Sequence, residues 1–99
     1  ERHYEKFYSY VTGKETTLED LLALSNVIYS LTRRINVHMG ATRKDDTLPY
    51  KVREAPILTG PNAGKKLDAQ EFDKMLSLYY EVRGWDENGV PPAEMEALF

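Results

Sequence analysis

Cysteine is absent from the 99 residues. The stretch therefore carries no disulfide, no thiolate metal ligand and no cysteine nucleophile. That usage is compatible with a reducing, cytoplasmic compartment. Histidine is scarce: His3 and His38 are the only two, and neither stands at metal-ligand spacing from an acid or another imidazole. No apolar run approaches the roughly 20 residues that cross a bilayer, so no membrane partner is expected. Charge of one sign is not in excess. Thirteen basic and 16 acidic side chains leave a net charge of −3, which argues against a nucleic-acid partner. No signal-peptide pattern and no Met open the chain, which suggests a cut or processed end. Internal repeats and low-complexity tracts are missing too.

What remains is the composition of a folded soluble domain, 41% apolar and 29% charged. The length suits one domain, residues 1–99, able to bury about two-thirds of its unfolded surface. Its centre is residues 17–49, a long helix running into a polar turn. Leu21, Leu24, Ile28, Leu31 and Ile35 recur at spacings of three and four, which keeps one side of a helix apolar along its length. Glu19, Asp20, Ser30 and Thr32 fall mostly on the opposite face. Thr16 or Thr17 can cap the start, with Glu19 or Asp20 bonding back in a capping box. Arg33, Arg34 and His38 suit the negative end of the helix dipole, and Gly40 supplies a left-handed stop.

Tyr4, Phe7, Tyr8 and Val11 follow a helical spacing over residues 2–11, with Gly13 as the stop. These large side chains are expected to pack on the central helix. Residues 40–67 show no useful periodicity and are rich in turn formers. A short extended piece fits Tyr50–Arg53, and Tyr50, Val52, Ile57 and Leu58 anchor the segment to some surface. A structureless connection of that length is unusual in a compact domain. Asp68 caps a third helix, with Phe72, Met75, Leu76 and Tyr79 on its inner face and Tyr80 or Val82 at the edge. Gly84 ends it and lets Trp85 fold back onto Tyr80. Residues 86–89 form a tight turn, and residues 92–99 a last short helix with Met95 and Leu98 or Phe99 inward. The fold class is all-α: a small irregular helical domain of about four helices with one long ordered connection.

Residues able to do chemistry are few. The run Arg43-Lys44-Asp45-Asp46 offers a carboxylate pair that binds a cation or orients a substrate. Against that, Asp45 or Asp46 bonding to nearby backbone N–H groups makes an ordinary solvated turn, and the spacing is not that of a calcium loop. His38 reads as a cation at a helix end. Thr59-Gly60-Pro61-Asn62-Ala63-Gly64-Lys65-Lys66 lacks the spacing, the preceding strand and the final hydroxyl residue of a phosphate-binding loop. No serine has a base at a suggestive position. The residues alone point to no catalytic, cofactor-binding or metal-ligating constellation.

The order of residues says more than their periodicity. Arg33-Arg34-Ile35-Asn36-Val37-His38-Met39-Gly40-Ala41-Thr42-Arg43-Lys44-Asp45-Asp46-Thr47-Leu48-Pro49 resembles R-x-F-N-x-R-x-G-x-x-R-x-D-D-x-L-P, a signature of the tungsten-containing aldehyde ferredoxin oxidoreductase family. Three more stretches resemble that family in the same order. They are Tyr10-Val11-Thr12-Gly13 with the Thr17 helix start, Thr59-Gly60-Pro61 with Gly64, and Tyr79-Tyr80-Glu81-Val82-Arg83-Gly84-Trp85-Asp86-Glu87-Asn88-Gly89-Val90-Pro91. Ile35, His38-Met39 and Pro92 depart from the pattern.

The resemblance implies a parent enzyme that oxidises aldehydes to carboxylic acids and passes electrons to ferredoxin. It implies a tungsten or molybdenum pterin and a 4Fe–4S cluster in that parent, with none of their ligands on this chain. It places these residues in the last helical domain, as a non-catalytic C-terminal piece that covers the cofactor domain and shapes the substrate channel. The segment 36–49 is then the first candidate to face that channel, through Asn36, His38, Arg43, Asp45 and Asp46. The main partner is the remainder of the enzyme, and a homodimer is another way to cover apolar surface. The rival reading is a stand-alone helical interaction module.

Overall fold

The computed structural model describes residues 2–98. Four helices are present: α1 (Arg2–Thr12), α2 (Leu18–His38), α3 (Tyr50–Glu54) and α4 (Ala69–Arg83). Short 3₁₀ turns occupy Arg43–Asp45 and Ala93–Leu98. No strand occurs among the described residues, so the chain is all-α.

The local signals explain the boundaries. Thr17 caps α2, and Asp20 answers it: Asp20 N–H donates to Thr17 Oγ1 at 3.2 Å and Thr17 N–H donates to Asp20 Oδ2 at 3.0 Å. These bonds hold the Asp20 carboxyl below its usual pKa, the backbone N–H first and the hydroxyl second. Gly40 closes α2, where its N–H reaches Val37 O and the Ala41 N–H reaches Asn36 O. Asp68 Oδ1 accepts from Gln70 and Glu71 N–H to start α4. At the far end Gly84, with φ +72°, bonds to Glu81 O, and Trp85 N–H bonds to Tyr80 O. Trp85 folds back onto Tyr80 as expected, with ring centroids 5.9 Å apart.

Two elements differ from expectation. Residues 50–53 are not extended but belong to α3. Pro49 begins that turn, and its carbonyl accepts from Val52 and Arg53 N–H. Pro56 ends it by forcing Ala55 into the extended region at ψ 133°. Tyr50 and Val52 suggest a strand by propensity, but the flanking prolines decide the outcome. The last helix is a 3₁₀ run over Ala93–Leu98. Met95 is half-buried there, whereas the expected inward turn rests on the Leu98 side chain or on Phe99, which lie outside what the structure describes.

The larger surprise is which faces point inward. On α2, Asn26, Ser30, Arg33, Arg34 and Val37 turn toward the rest of the chain, and Ser30 is fully buried. Much of the apolar stripe is left outside, with Leu24 45%, Ile28 56% and Ile35 46% exposed, while Leu21 and Leu31 are half-buried. On α4 the inner face is Phe72, Leu76, Tyr80 and Arg83; Tyr80 is its centre rather than its edge, and Met75 is exposed. Tyr4, Phe7 and Val11 of α1 are not packed on α2 but stand in the open. The buried apolar core is essentially Tyr80 and Trp85 with Pro91.

The overall dimensions agree. The radius of gyration is 18.3 Å, against roughly 13 Å for a compact chain of this length. The accessible surface is 8103 Å², about 2,300 Å² more than the usual scaling gives for a protein of this mass.

Candidate functional site

The inward face of α2 meets the 86–91 turn and the 42–49 segment in a polar knot. Arg33 is its hub. Its Nη1 and Nη2 donate to the two carboxylate oxygens of Asp46, the first at 2.7 Å, in the fork geometry that suits arginine. Its Nε donates to Gly89 O at 2.9 Å, and its guanidinium lies 5.6 Å from the Trp85 ring centroid. Burial works against the Arg33 charge, yet the Asp46 carboxylate outweighs it and keeps the guanidinium above its ordinary pKa.

Tyr80 completes the knot by donating its hydroxyl to Asp46 Oδ2. Burial, followed by that bond to a carboxylate, pushes the phenol up to about 12. Beneath it, Trp85 Nε1–H donates to the buried Ser30 Oγ at 2.8 Å. Gly89 must be glycine here. Its φ is +74°, and a Cβ would sit 2.6 Å from Tyr80 Cζ and 2.8 Å from Arg33 Nη2.

The knot absorbs several residues that the sequence offers for chemistry. Asp46 is held by Arg33 and Tyr80. Asp45 Oδ2 accepts from Thr42 N–H at 2.8 Å and from its hydroxyl at 3.0 Å. Those bonds lower the Asp45 pKa, the backbone one first. Arg43 donates to Glu87 O, Asp73 O, Asp73 Oδ1 and Ser77 Oγ. The Asp73 bond holds its pKa above the ordinary arginine value. Asn36 and His38 are exposed; Asn36 accepts the closing α2 bond through its carbonyl. So the structure gathers Arg43, Asp45 and Asp46 into one small region, as fixings of a turn.

Beside the knot lies an open cleft of about 1060 Å³ between the end of α2, the 41–47 segment, α3 and α4. Val37, Ala41, Leu67, Phe72 and Leu76 supply apolar walls, and Arg43, Lys44, Asp46, Arg53, Glu54, Lys66, Asp68 and Asp73 supply charged ones. Arg53 comes from α3, so the sequence reading of 50–53 as extended could not place it. Among the described residues, no group of three or more His, Cys, Asp or Glu side chains comes together to hold a metal. Thiolate ligands to an iron–sulfur cluster cannot come from a stretch without cysteine.

Comparison with known proteins now bears on these features. Residues 1–97 match the family model described as aldehyde ferredoxin oxidoreductase, domains 2 & 3. The chain belongs to the aldehyde ferredoxin oxidoreductase family. It is 35% identical over 97 residues to the tungsten-containing aldehyde ferredoxin oxidoreductase of Pyrococcus furiosus, covering 96% of this chain and 16% of that protein. The Pyrococcus abyssi protein of the same name is 35% identical over 92 residues, covering 92% of this chain and 15% of the relative. A third relative is the WOR-like subunit of an aliphatic sulfonate oxidoreductase from P. furiosus. It is 38% identical over 53 residues, covering 54% of this chain and 8% of that protein. The stand-alone module is not favoured by these matches. The chain spans about a sixth of the length of the two aldehyde oxidoreductases.

Proposed function

We propose that this chain works as a non-catalytic helical part of a larger enzyme, one that oxidises aldehydes to carboxylic acids and reduces ferredoxin. The family match over residues 1–97 carries the reading. The outward apolar stripe of α2 and the surplus of accessible surface support it, because both call for a covering body. That body is the remainder of the same cytoplasmic enzyme, which holds the tungstopterin and a 4Fe–4S cluster. This chain, residues 1–99, forms one helical unit of it. The knot fixes the 42–49 segment, and that segment, with Asn36 and His38, forms part of the substrate channel wall.

Three experiments test this. The intact protein carrying the chain is purified and assayed for aldehyde-dependent ferredoxin reduction, with tungsten and iron measured. Activity in a metal-loaded preparation supports the enzyme reading, and a loaded but inert protein overturns it. Ile28→Asp tests the covering role. On a free-standing module this exposed position tolerates a charge, whereas beneath a covering body the variant fails to assemble. The channel role is probed with Asn36→Ala and Asp45→Asn together: a changed specificity constant for bulky aldehydes with unchanged metal content supports it, and unaltered kinetics removes it.

A further inference from the structure

The charged lining of the cleft is balanced, four acids against four cations, but unevenly paired. Of the acids on its wall, Asp46 is bonded to Arg33 and Tyr80, Asp73 to Arg43, and Glu54 to Lys66, while Asp68 accepts from the Gln70 and Glu71 backbone N–H groups. The cations Arg43 and Lys66 are consumed in the same pairs. Two cationic side chains remain without a hydrogen bond or ion pair of their own among the described residues: Arg53 and Lys44. Arg53 is half-buried, and its Nε is fully buried with no acceptor. A buried guanidinium donor normally has a partner, since leaving one unmet is costly. Apolar side chains line the same cleft, among them Val37, Leu67, Phe72 and Leu76. The volume falls at the size of small-molecule sites.

We propose that the cleft binds a small organic carboxylate, its charge on Arg53 with Lys44 beside it and its hydrocarbon body against Phe72 and Leu76. A planar two-oxygen anion matches the guanidinium fork, and the apolar wall selects against inorganic anions. Aldehyde oxidation yields ligands of this class, and to that extent the inference rests on the proposed function.

Benzoate is titrated into the intact, metal-loaded protein, with binding read by calorimetry and ligand-observed nuclear magnetic resonance rather than by turnover. Benzamide, its uncharged analogue, and inorganic phosphate serve as controls. Benzoate binding that exceeds both controls, that weakens about tenfold in Arg53→Gln and that recovers in part in Arg53→Lys supports the site. Thermal melts of each variant show that the fold is kept. Equal binding of benzoate by wild type and Arg53→Gln overturns it. So does absence of benzoate binding with a lower melting temperature in Arg53→Gln, which would give the acceptor to a carboxylate of the polypeptide itself. Turnover is measured separately, so an inactive protein that still binds benzoate refutes the enzyme reading and leaves the site standing.

Discussion

Replacing Gly89 by alanine perturbs the knot at its tightest point. Two costs arise. The first is conformational: a side chain at φ +74° occupies the left-handed region, worth roughly 1–2 kcal/mol. The second is steric. The new Cβ would lie 2.6 Å from Tyr80 Cζ, 2.8 Å from Arg33 Nη2 and 2.9 Å from the Tyr80 hydroxyl. Side-chain ends usually yield cheaply, but these cannot. Tyr80 is only 2% exposed, and both groups are tied to the same carboxylate. Overpacking of this kind costs roughly 1–3 kcal/mol, so the two together come to about 2–5 kcal/mol. Gly84 is the control, because it has φ +72° and a methyl group there would meet nothing within 4 Å. Gly84→Ala therefore carries the conformational cost alone. Amide hydrogen exchange of the 85–90 turn in the intact protein reads both variants as changes in local opening free energy. If Gly89→Ala opens the turn no more than Gly84→Ala does, the steric account is wrong.

Three further outcomes follow from the same contacts. Asp46→Ala strands the Arg33 guanidinium, whose side chain is 11% exposed, and should cost about 3–5 kcal/mol in a denaturant melt; a loss below 1 kcal/mol would mean that water replaces the carboxylate. Tyr80 ionises near 12 when folded and near 10 when unfolded. Its stabilising effect is whole below pH 10 and fades as pH rises through 12, on the order of 2 kcal/mol in total. An alkaline titration should show late tyrosinate formation coincident with unfolding, and Tyr80→Phe should abolish the coincidence. The carboxyls of Asp20 and Asp45 have the opposite sign. Their pKa values are depressed in the folded chain, so their contribution holds above pH 4 and is lost as pH falls through the folded values. Helix content followed through acid should decline less steeply in Asp20→Asn.

The elements with local signals were legible in the sequence. Thr17 with Asp20, Gly40, Asp68 and Gly84 each mark a helix end through bonds to neighbouring backbone, and the structure makes those bonds. Trp85 on Tyr80 was legible for the same reason. Orientation was not. Periodicity shows that Leu24, Ile28 and Ile35 share a face of α2, but it cannot say whether the covering surface lies within these 99 residues. The inward face is polar because Ser30, Arg33 and Arg34 meet partners more than fifty positions away at Trp85, Gly89 and Pro91, and spacing along one helix does not report such meetings. The Arg53 cleft was hidden behind α3, a single turn too short to show a period.

A helix with its polar side turned home and its oily side turned out answers to two judges at once. Damage at Asn26, Ser30 or Arg33 should register as local unravelling, felt even before any neighbour arrives. Damage at Leu24, Ile28 or Ile35 should leave the piece itself intact and show only as failed assembly. A saturation scan of α2, scored separately for both defects, would then divide one rod into two complementary stripes of intolerance.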